Sequence, residues 1–103
     1  MIEAVVRGAF LLARDRGEIS ESSELVAPWE AAAALRAAYW DRADLQDARP
    51  DEAKGLPPVV ISLRVRAGGV ESQAEVEVSA EAVVWAMRTE AHRMYRSAEE
   101  DHR

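Results

Sequence analysis

The sequence predicts an α+β fold: one antiparallel β-hairpin packed against helices, in the order α-α-β-β-α. Three observations predict it. Apolar and polar residues alternate over 59–67 and again over 70–78, with Val60 and Ser72 as the departures, on either side of Gly68-Gly69. Apolar residues recur at helical spacing near both ends and over 28–46. The chain is 103 residues long, a length that builds one core, so 1–103 is read as a single domain.

The first helix is expected over about 2–16. Ile2, Val5, Val6, Ala9, Phe10, Leu12 and Ala13 form its apolar stripe, with Glu3, Arg7 and Arg14 opposite and Leu11 off the stripe. Gly17 follows where a left-handed cap residue is favoured. "GEISESSE" is a polar connector in which Ser22 or Ser23 caps a short turn through Val26. The second helix is expected over about 28–46. Pro28 suits its first position, where a missing N–H costs nothing. Trp29, Ala33, Arg36 and Trp40 lie on one line, with Ala32, Leu35 and Tyr39 beside it. "QDARPDEAKGLPP" has proline, glycine, mixed charge and no periodicity, and reads as a loop.

Gly-Gly suits a two-residue turn that needs positive φ. It pairs Ala67 with Val70, and so Val65 with Ser72, Leu63 with Ala74, Ile61 with Val76 and Arg66 with Glu71. Both apolar sides then coincide. Ser79 is placed to cap a last helix over about 80–99, with Glu81 in its first turn. Val83, Val84, Met87, Ala91, Met94, Tyr95 and Ala98 make the core stripe of that helix.

Two strands rarely stand alone in water. The last helix is as long as the strands and is expected to lie along their apolar face, with the first helix beside it. A two-stranded sheet keeps two open edges, which recruit partners. A homodimer through the first strand is therefore expected, with Ile61, Leu63, Arg64 and Val65 as its edge. Pairing two copies of the second strand about Ala74 would set Glu71 against Glu77, which is repulsive. The plainer alternative is that a connector segment covers the edge within one chain.

Composition narrows the function. There are no cysteines, which removes disulfides, thiolate metal sites and thiol nucleophiles. Thirteen cations face 19 carboxylates, for a net charge of −6, so nucleic acid is an unfavoured partner. Lys54 is the single lysine. No signal-like leader or membrane-spanning run is read, and a cytoplasmic protein without membrane contact is expected. No nucleophile motif or phosphate-cradling loop occurs, so neither catalysis nor a cofactor is expected. Glu99 and His102 have the spacing of a carboxylate–histidine metal pair, but one copy is insufficient for a site.

One surface stands out. Trp85, Arg88, His92 and Arg96 run along the last helix behind its core stripe, with Arg93 close by. Tryptophan and arginine are the residue types that dominate binding interfaces. The plainer alternative is that the second helix buries Trp85. The expectation is a small protein–protein interaction module: a regulator, inhibitor, immunity or adaptor protein. It would act through this helix face and through the acidic segments "ESSE" and "DARPDEAKG". Two alternatives are a small dimeric nucleic-acid-binding regulator, and an accessory subunit of a larger enzyme or phage-like assembly that buries Trp29, Trp40 and Trp85 against another chain.

Overall fold

The computed structural model describes the backbone of residues 1–101 and the side chains of residues 1–91. Helix α1 spans Ile2–Asp15, strand β1 Glu24–Val26, helix α2 Pro28–Asp41 and the short helix α3 Ala43–Asp47. A 3-10 turn at Glu52–Gly55 leads to strands β2 (Val59–Ala67) and β3 (Val70–Val78), and helix α4 runs over Ala80–Asp101. The α+β class holds, with helices packed on an antiparallel sheet.

Local chemistry sets the ends of most elements. Gly17 takes φ +75° after α1, the Glu18 N–H reaches the Ala13 carbonyl at 3.0 Å, and the Gly17 N–H reaches Arg14 at 3.1 Å. This closes two of the carbonyls that a helix end leaves open. Pro28 occupies the first turn of α2. Ser79 caps α4, its Oγ accepting the Ala82 N–H at 3.2 Å. Gly68 and Gly69 both have positive φ, and every pairing expected across the hairpin is present, from Ala67↔Val70 to Ile61↔Val76. The second helix is shorter than expected. It breaks at Arg42, whose backbone is extended, and its guanidinium holds Asp44 at 2.6 Å and the Pro57 carbonyl at 2.9 Å.

The sheet has three strands, not two, in the order β1-β2-β3. The connector supplies the extra strand: Glu24, Leu25 and Val26 pair with Arg66, Val65 and Arg64. This corrects the expected dimer edge. In a two-residue hairpin, the residues flanking the turn exchange both hydrogen bonds. That alternation aims the backbone groups of Ile61, Leu63 and Val65 at β3, and those of Arg64 and Arg66 at β1. Ile61, Leu63 and Val65 also have buried side chains. Ile61, Leu63, Arg64 and Val65 are thus already engaged within the chain, on a central strand. The edge that stays open along its whole length is β3.

The roof differs too. Helices α1 and α2, rather than α4, lie nearest the strands, and α4 packs chiefly on α1, α2, α3 and the 3-10 turn. One core joins all of these, with Ile2, Val6, Leu35, Leu45, Leu63, Val83 and Val84 sealed from solvent. A helix stripe leaves the solvent when any apolar neighbour covers it, so amphipathicity alone did not select which helix met the sheet.

Candidate functional site

Tryptophan is the largest apolar side chain and is normally mostly buried. Here Trp29 and Trp40 are each 65% exposed and Trp85 is 49% exposed. The chain has three tryptophans, so all of them face outward. Helix α2 shows how this arises. Its inward side is Pro28, Ala31, Ala32, Leu35 and Tyr39. The line of Trp29, Ala33, Arg36 and Trp40 is turned to solvent. The helix carries more apolar surface than one contact can bury, and such a helix is ordinarily enclosed. Tyr39 meets Trp40 edge to face at 5.1 Å between centroids, which anchors one of the two indoles.

On α4, Trp85 borders a shallow hollow of about 280 Å³, lined also by Pro50, Ser79, Glu81 and Ala82. The second helix does not bury it. Arg88 is tied inward, since its Nη2 donates to the Ala48 carbonyl at 2.6 Å. That bond fastens α4 to the loop after α3, so Arg88 is a structural neighbour of Trp85 as well as a surface cation. Helix α4 carries His92 and Arg96 on the same face of the backbone, but their side chains lie outside the described residues. Glu99 is likewise described only as backbone and His102 not at all.

The arginines of the sheet face are engaged. Arg64 Nη1 bonds both oxygens of Glu30 at 2.8 and 2.9 Å, and its Nη2 reaches Glu71 at 3.2 Å. Arg66 bonds the other Glu71 oxygen at 2.8 Å. Hydrogen bonds from Arg66 and then Arg64 hold the Glu71 carboxyl below its usual range. Among the described residues, no three His, Asp or Glu side chains gather as a metal site would require. None of the described helices is long and apolar enough to cross a membrane.

Fold and surface together define a small three-stranded α+β domain whose outer helix faces carry exposed indoles. No family model, curated protein or solved structure matches the chain.

The sequence singled out Trp85 and placed Trp29 and Trp40 on one line of α2, with Leu35 and Tyr39 beside it. The signal that separates the two rows lies in the second. Leu35 and Tyr39 share one side of α2 and fill the core better than the Trp29 line does.

Proposed function

We propose that this chain is a non-catalytic protein–protein interaction module whose contacts centre on its exposed tryptophans. The observation that carries the reading is the outward placement of all three indoles. Desolvating a large aromatic surface is a main source of binding energy, and indoles with neighbouring cations are typical anchors. Trp85, with Arg88 beside it and His92 and Arg96 further along α4, is the first such anchor. The line through Trp29 and Trp40 on α2 is the second. The engagement of Arg64 and Arg66 by Glu30 and Glu71 favours a protein partner over nucleic acid, because those guanidiniums are already neutralised.

The test is affinity capture from the native host with the wild-type chain and with Trp85→Ala, Trp29→Ala and Trp40→Ala. The expected result is one identified protein lost on at least one substitution while the melting temperature stays within a few degrees. Capture indifferent to all three substitutions would overturn the reading. Separate loss by α2 and α4 variants of different subunits of one complex would favour the accessory-subunit form of the same proposal.

A further inference from the structure

The open edge of the sheet has a specific chemistry. By the hairpin alternation, Val70, Ser72, Ala74, Val76 and Val78 turn their backbone groups toward β2. Glu71, Gln73, Glu75 and Glu77 therefore aim theirs outward. No strand of the three-stranded sheet lies beyond them. Such a row is a template for one more strand.

The same four residues put their side chains on the exposed face of the sheet. Glu71 is held by Arg64 and Arg66, but Glu75 and Glu77 have no cationic partner among the described residues. Beside this half of β3 runs a groove of about 310 Å³, more polar than apolar, lined by Ala9 and Leu12 and by the charged Arg16, Glu18, Glu75 and Glu77. Leu12 is 47% exposed there, although it falls on the apolar stripe of α1. Incoming residues would alternate between two environments: the carboxylates of the outer sheet face, and the groove in which Leu12 offers exposed apolar surface.

A second copy of β3 brings no cation to Glu75 or Glu77. A two-fold antiparallel pairing about Ala74 opposes Glu75 to the neutral Gln73, and Glu77 to Glu71, which already holds Arg64 and Arg66. Opposite charges at the same positions are favourable. We propose that the β3 edge accepts an extended segment of a partner protein, with arginine or lysine at every second position and apolar residues between. The segment adds as a fourth strand. The site uses none of the tryptophans, so it stands or falls separately from the proposal above.

The test is a titration of the full chain, followed by amide NMR and hydrogen exchange. The probe is a nine-residue peptide alternating arginine with valine or threonine. Its control has the same composition with the arginines grouped at one end. The expected result is that the alternating peptide slows exchange at the amides of Glu71, Gln73, Glu75 and Glu77, and binds at least about tenfold more tightly than the control. A double variant, Glu75→Lys with Glu77→Lys, should lose that preference and favour an alternating glutamate peptide instead. Circular dichroism checks that this exposed pair leaves the fold intact. Equal binding of the two arginine peptides would mean diffuse charge attraction and would overturn the proposal. So would absence of edge protection, or wild-type chains that pair with each other through β3.

Discussion

The guanidinium of Arg36 on α2 closes on the carboxylate of Glu90 on α4 through two hydrogen bonds, at 2.8 and 3.3 Å. The same carboxylate accepts the Ile2 N–H at 3.4 Å, in the first turn of α1. Helix α1 has no side-chain cap of its own from Met1. Glu90 therefore caps one helix from another, where negative charge is favoured, while bridging to a third.

This junction predicts a pH dependence. The hydrogen bonds from Arg36 hold the Glu90 carboxyl below its usual range, and the Ile2 N–H adds to this. A depressed carboxylate stabilises the fold above its unfolded-state pKa and loses that contribution as pH falls through its folded-state value. Glu90→Gln should therefore lower stability at pH 7 by about 1 kcal/mol, since the pair is partly solvent-screened. That corresponds to roughly 4–8 °C in melting temperature for a domain of this size. The gap between variant and wild type should close once the pH is well below the ordinary glutamate range. Thermal melts across that range check it.

Ala27 offers a stabilising substitution. It has φ +49°, among the described residues the only non-glycine with positive φ, and it turns the chain from β1 into α2. A left-handed conformation costs an L-residue about 1–2 kcal/mol, which glycine avoids, although its greater freedom in the unfolded chain cancels part of that gain. Ala27→Gly should raise stability by up to about 1 kcal/mol, and Ala27→Val should lower it. Chemical denaturation separates the two.

Burial divides the large side chains into two groups. Leu35 and Leu63 are fully enclosed, and Leu35→Ala or Leu63→Ala should cost about 2–5 kcal/mol through the cavity each leaves. Trp29→Ala, Trp40→Ala and Trp85→Ala should each cost about 1 kcal/mol or less, despite deleting more atoms, because about half or more of each indole is in water. Denaturant midpoints check the contrast, and accessible quenching of tryptophan fluorescence checks the exposure itself.

Strand β1 predicts an effect on assembly. Val26 pairs with Arg64, and by the hairpin alternation its N–H is one that bonds β2. Val26→Pro removes that donor and frees the flank of β2 at Arg64–Arg66, which extends the part beyond β1 at Val60 and Ser62. Light scattering should then detect concentration-dependent association that the wild-type chain does not show through this flank.

How much could be read in advance differs by element. The hairpin was fully legible down to its register, because turn chemistry and alternation act between residues close in sequence. The caps at Gly17, Pro28 and Ser79 were legible for the same reason. Strand β1 was not: three residues, Glu24–Val26, are too few to show a period, and they are a strand only because Arg64–Arg66 lie alongside. The break at Arg42 also escaped, since its contacts run to Pro57 and Pro58. Among surface candidates, Trp85 was visible as an oddity on α4. The bond from Arg88 to Ala48 was not, because it joins positions 40 apart.

The sequence by itself determined the class of fold, the hairpin and its pairing, and the caps at Gly17, Pro28 and Ser79, because each follows from interactions within a turn or between adjacent strands. Only the tertiary structure decided which helices cover the sheet, which flank of it stays open, and which side of α2 turns its tryptophans to water. Those outcomes depend on competition between apolar surfaces far apart in the chain, where several arrangements satisfy the same local pattern and packing selects one.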